Sequence, residues 1–179
     1  VISLQASDFE LFGLPTAFAL DTSQLDLQWK SLQREAHPDR FASEGAAAQR
    51  VAMQWSVRIN EAYNRLKDPL KRAAYLCELH GAAVNAENNT SMPTAFLMQQ
   101  MAWREALDDC KVLKDANAQI ASLEALLEEV EVLRAQVLSQ VASLIDLDHN
   151  YPAAVGQVRA LMFIEKFASE VQHGIDART

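Results

Sequence analysis

An all-α protein in two helical parts is what the sequence predicts, and three observations carry the prediction. Apolar residues recur three and four apart over most of the 179 residues, the spacing of amphipathic helices. The two-residue alternation of a strand is scarcely present. Five glycines and five prolines fall mostly between the periodic stretches, where they punctuate rather than interrupt. Functional groups are then expected at turns and on exposed helix faces.

Taken in order, Asp21 with Gln24 caps a helix running to about Ala36, whose Leu25, Trp29, Leu32 and Ala36 share a core face. Lys30 and Arg34 fall opposite, one turn apart, with Gln33 and Asp26 nearby. A helix over about 47–66 places Val51, Trp55, Ile59, Ala62, Tyr63 and Leu66 in one apolar sector. Arg50, Gln54, Arg58, Glu61 and Arg65 lie outside it. Joined by a loop from His37 to Gly45, the two make an antiparallel hairpin with the loop at its tip. Asp68-Pro69 ends the second and starts a short helix over roughly 70–80.

The stretch GAAVNAENNTS, 81–91, is small, polar and without apolar period, and reads as a linker. Domains are therefore expected over 1–80 and 93–179, with a linker over 81–92. Three helical segments follow, near 93–115, 117–147 and 151–173. In the middle one Ile120, Leu123, Leu127, Val130, Val137, Val141 and Leu144 keep the three-then-four spacing of a bundle seam, interrupted only at Arg134.

Sixteen Lys and Arg against twenty-four Asp and Glu give a net charge of −8, which argues against a nucleic-acid partner. Residues 1–80 carry nine basic and ten acidic groups; 81–179 carry seven and fourteen. Cys77 and Cys110 form no CxxC, so neither a disulfide framework nor a thiolate metal site is expected. Without an apolar run of roughly 20 residues, no membrane span is expected either.

His37-Pro38-Asp39 in REAHPDRF admits four readings. As an acid-base pair it lacks a nucleophile motif and a cleft. As a metal site it lacks companions, since His80, His149 and His173 are scattered. As a helix stop it is ordinary: proline after a helix, histidine in the last turn, aspartate in a turn. As a docking loop it presents a fixed backbone, a carboxylate and Arg40 beside Lys30 and Arg34, a combination suited to a surface of mixed charge.

Preceded by a basic amphipathic helix and followed by Ile59-Asn60-Glu61-Ala62-Tyr63-Asn64-Arg65-Leu66-Lys67-Asp68-Pro69, Arg72 and Tyr75, the tripeptide resembles a J-domain over about 70 residues. The resemblance implies that Lys30, Arg34, His37, Pro38, Asp39 and Arg40 meet the ATP-bound form of a seventy-kilodalton-class chaperone and stimulate its ATPase. Hydrolysis would be the partner's, so the protein is expected to be no enzyme and to need no cofactor. Lysine often follows the aspartate in such domains; Arg40 keeps the charge and alters its geometry.

In the helix after Pro93, Trp103, Leu107 and Cys110 return to within about 40° of Phe96 and define a core face. Leu97, Met98 and Met101 form a second apolar group, bordered by Arg104 and Glu105. In a three-helix bundle both could be used against neighbours. Two methionines and a charged rim also suit an exposed recognition patch.

Phe9-Glu10-Leu11-Phe12-Gly13-Leu14-Pro15, the stretch His37 to Ser43, Arg72-Ala73-Ala74-Tyr75-Leu76, Leu79-His80-Gly81 and Thr94-Ala95-Phe96-Leu97-Met98 are together similar to the HscB family of iron-sulfur co-chaperones, end to end. That resemblance implies a C-terminal three-helix bundle that binds the iron-sulfur cluster scaffold protein through Leu97, Met98, Met101, Ala102, Arg104, Glu105 and Phe163. Ala102 departs from the acidic residue expected there, and Phe163 is assigned by resemblance alone. The same comparison implies a bacterial cytoplasmic protein without the cysteine-rich extension of metazoan relatives. A helical binding module, or a J-protein for other clients, is the alternative.

Overall fold

The computed structural model describes residues 3–85 and 91–179, which contain helices and no strand. In chain order these are α1 (Asp8–Leu11), α2 (Thr22–Ala36), a 3-10 helix (Pro38–Glu44), α3 (Ala46–Lys67), α4 (Pro69–Leu79), α5 (Thr94–Lys111), α6 (Ala116–Ala142), a π turn (Ser143–Leu147) and α7 (Tyr151–Asp176). They form two compact units, Val1–Leu76 and Cys77–Thr179.

In the first unit, Asp21 starts α2 by accepting the Ser23 and Gln24 amides. Phe9, Leu25, Ile59, Ala62, Leu66 and Ala73 close the core. The hairpin's apolar stripe is sealed at this end only: Trp29, Leu32, Ala36 and Trp55 are half-buried, and Val51 is exposed. The expected loop after His37 is instead a 3-10 helix, seeded by Pro38 at its first position.

Asp26 and Gln33 do not stand in solvent beside the cations. Asp26 accepts the Tyr63 hydroxyl at 2.7 Å. Gln33 bonds Asn60 and accepts from Ser56, while Trp29 donates to the same Asn60 at 3.1 Å and stacks on Tyr63. One side of the hairpin is thus closed by polar contacts.

Arg58 and Arg65, outside the α3 stripe, turn onto Asp8. Its fully buried carboxylate lies 2.8 Å from Arg58 Nη1 and 2.7 Å from Arg65 Nε. Arg58 also donates to the Leu4 and Ala6 carbonyls, and Tyr75 Oη accepts the Asp8 amide. A capping box between Ser7 and Glu10 holds α1 in place around this charge.

The second unit is a three-helix bundle of α5, α6 and α7. Phe96, Trp103 and Leu107 meet Leu123, Val130, Val137 and Val141 from α6 and Val158, Leu161, Ile164 and Phe167 from α7. The seam departs from expectation in its middle, where Leu126 is buried and Leu127 half-buried, and at its end. The α-helix stops at Ala142 and a π turn follows; Ile145, four residues on from Val141, is buried where the expected seam has Leu144.

Of the expected linker over 81–92, residues 86–90 lie outside the described residues. Val84 is buried, and Arg159 donates to the carbonyls of Val84 and Ser91 at 2.9 and 3.2 Å.

Cys77 is buried, and its thiol reaches toward the Tyr151 carbonyl. Burial pushes this thiol from its ordinary 9.0 up to about 11. Between those values the folded chain keeps a proton that the unfolded chain has lost, so stability is whole below pH 9 and falls as pH rises to 11. Urea midpoints are expected to drop across that window, and Cys77→Ala to flatten the drop. An equal slope in both proteins would refute the assignment.

Candidate functional site

The tip is built by the junction of α2 and the 3-10 helix. His37 ends α2 in an extended conformation, and its Nδ1 accepts the Asp39 amide at 3.2 Å, which places the ring's proton on Nε2. Pro38 holds the backbone between them. Arg40 bonds through its own amide to the His37 carbonyl, and its Nη1 donates to the Arg34 carbonyl at 3.3 Å. The guanidinium therefore caps the end of α2.

This arrangement leaves the Asp39 side chain 93% exposed, with Oδ2 3.7 Å from His37 Nδ1, a contact that becomes an ion pair only on protonation of the histidine. Lys30 and Arg34 are exposed on the adjoining helix face. The turn thus offers one exposed carboxylate on a hydrogen-bonded backbone, beside two cations on long stems. The geometry suits recognition across a surface, because water reaches both His37 and Asp39.

On the second unit, Phe96, Trp103, Leu107 and Cys110 face the core as their spacing implies. Leu97, Met98 and Met101 are 44%, 70% and 74% exposed, so the second apolar group of α5 is not taken up by the other bundle helices. Ala102, Arg104 and Glu105 are exposed around it. Phe163 is half-buried, edge-on to Phe96 at 5.7 Å and stacked on Phe167 at 5.9 Å.

Arg104 ties that aromatic to the patch. Its guanidinium carbon lies 5.6 Å from the Phe163 centroid and 5.2 Å from the Phe167 centroid, and Nη1 meets Glu170 Oε2 at 2.7 Å. Phe167, fully buried, and Glu170 hold Arg104 beside the patch, and sequence reasoning did not find them. Their signal was the spacing of 163, 167 and 170, which puts all three on one face of α7.

Among the described residues, no group of three or more His, Cys, Asp or Glu comes together as a metal site, and no helix is long and apolar enough to cross a membrane.

The Co-chaperone protein HscB homolog of Burkholderia thailandensis is 49% identical over 171 residues, 96% of this chain and 95% of that one. Its counterpart in Paraburkholderia xenovorans is 50% identical over 169 residues, 94% of each. The chain belongs to the HscB family. A family model described as the HSCB C-terminal oligomerisation domain matches residues 92–172. The structure of chaperone HscB from Vibrio cholerae superposes with a TM-score of 0.84 at 36% identity, over 97% of this chain and all of that one. Human co-chaperone protein HscB shares the fold, with a TM-score of 0.85 at 22% identity over 97% of this chain and 84% of that one. The HscB architecture is a J-domain followed by a helical domain, and the hairpin unit and the three-helix bundle are those two parts.

Proposed function

We propose that this HscB-family chain binds an iron-sulfur cluster scaffold protein, brings it to the ATP-bound form of a specialised seventy-kilodalton-class chaperone, and stimulates that chaperone's ATPase. In this reading the J-domain over 1–80 meets the chaperone through Lys30, Arg34, His37, Pro38, Asp39 and Arg40. The segment 81–92 links it to a bundle over 93–179. That bundle takes the scaffold on Leu97, Met98, Met101, Ala102, Arg104, Glu105 and Phe163.

The observation that carries the reading is the exposed Asp39 carboxylate on a turn whose backbone is already fixed by Pro38 and the His37 ring. A preorganised anion loses little freedom on meeting a basic partner group, while Lys30 and Arg34 steer the encounter toward acidic surface. ATP hydrolysis is the partner's chemistry; this chain contributes recognition and timing.

The test is the ATP turnover of the chaperone with this chain, with and without scaffold protein. Stimulation by the chain alone, increased further by scaffold, is expected; no stimulation in either condition overturns the proposal. Replacing Leu97, Met98 and Phe163 together with Ala is expected to remove the scaffold-dependent increment and keep the basal part. Because Phe163 stacks on Phe167, a second variant, Met98→Glu with Met101→Glu, changes only exposed side chains. If either variant lowers both parts equally while its thermal melt matches the parent, the division between two sites is wrong.

A further inference from the structure

The first unit contains an apolar cleft of about 520 Å³ between the hairpin helices, lined in part by the buried Leu11, Ala52 and Ile59. Leu32 and Ala36 of α2 form one wall, Val51 and Trp55 of α3 the other, and Phe41 of the 3-10 helix closes the end toward the tip. Its size falls within the roughly 300–1,000 Å³ of ordinary ligand sites. Two charged side chains line it, Glu35 and Glu44, both acidic and both exposed.

An apolar trough edged by two carboxylates, with no cation in its lining, has a definite complement. We infer that the cleft is a docking site for a partner's peptide segment that sets an apolar side chain next to a lysine or arginine. The apolar group would displace water from the walls, and the cation would stand between Glu35 and Glu44. A purely apolar occupant would leave both carboxylates without a counter-charge, and an acidic one would be repelled.

The cleft lies on the side of α2 opposite Lys30 and Arg34, since Leu32 and Ala36 are about half a turn away from them. An occupant would therefore leave the cationic face open. It would also touch Phe41 and Glu44, which share their 3-10 helix with Pro38 and Asp39. The inference stands independently of the chaperone reading, because its first readout needs no chaperone.

The probe is the peptide acetyl-Leu-Lys-Leu-Lys-amide, added to the full chain while the methyl resonances of Leu11, Leu32, Val51 and Ile59 are followed. Saturable shifts at these methyls are expected, and at low salt Glu35→Gln with Glu44→Gln should raise the half-saturating concentration about fivefold or more. Val51→Lys places a cation at an already exposed position and should abolish the shifts with the thermal melt unchanged. Equal binding of acetyl-Leu-Glu-Leu-Glu-amide, absence of saturable shifts, or shifts that follow protein concentration without peptide would each overturn the inference; the last would assign the cleft to a second copy.

Discussion

Asp39→Asn is expected to remove nearly all stimulation of the partner chaperone while leaving the melting temperature of the first unit unchanged. Folding asks little of this side chain: it is 93% exposed, and the bond that orders the turn runs from the Asp39 amide to His37 Nδ1, which asparagine retains. Surface changes of this kind stay within about 0.5 kcal/mol. The proposed chaperone contact asks for its charge. Losing one member of a charged interfacial pair costs about 2 kcal/mol or more, and so roughly 30-fold or more in the productive complex. The decisive measurement is single-turnover ATP hydrolysis at a fixed ratio of the two proteins. A variant as active as the parent would remove the chaperone role of the tip.

The second large effect concerns stability. Asp8→Asn keeps the shape of a carboxylate that is fully buried between two guanidinium groups, and takes away its charge. Breaking a buried pair from one side typically costs about 3–5 kcal/mol, because the remaining charge is left uncompensated. Here the lower end applies, since Arg65 is 39% exposed and can recover hydration, whereas Arg58, 18% exposed, cannot do so as fully. Chemical denaturation followed by Trp29 and Trp55 fluorescence should show the loss, and Arg65→Gln a smaller one. A change below about 1 kcal/mol for Asp8→Asn would mean that the triad adds little beyond its packing.

That triad also marks where the sequence stops being legible. The hairpin could be read from local rules: Asp21 as a cap, Pro38 and Pro69 as starts, and a 3.6-residue apolar period on either side of the tip. Those rules assign a face to each residue and say nothing of what stands opposite. Arg58 and Arg65 fall on the polar side of α3 by periodicity, yet their partner is an aspartate some fifty residues earlier. Leu32 and Trp55 fall on the core side, yet nothing large enough fills the space between them, so the stripe opens into a cleft.

The bundle face divides in the same way. The angular separation of Met98 and Met101 from Phe96 distinguished two groups on α5, and both methionines are exposed. Phe163 lies in a stretch of α7 that is apolar nearly all round, so periodicity groups it with Phe167 and Glu170 without saying what that face meets; Arg104 does, by reaching across to its ring. The π turn was likewise invisible, because a widened helical turn leaves no mark on composition or apolar spacing.

Under the proposed function, Arg104 meets the scaffold with its guanidinium already in contact with three neighbours, Phe163, Phe167 and Glu170. Two phenyl rings lie beneath its guanidinium and Glu170 grips one nitrogen, so contact with it forfeits almost none of the roughly 0.5–1.5 kcal/mol that ordering a long side chain usually costs. Met98 and Met101, standing free beside it, still carry that penalty and keep their capacity to mould themselves to whatever arrives. In the proposed function, a held cation at the border of an adaptable thioether surface discriminates by position on that side and tolerates variation on the other.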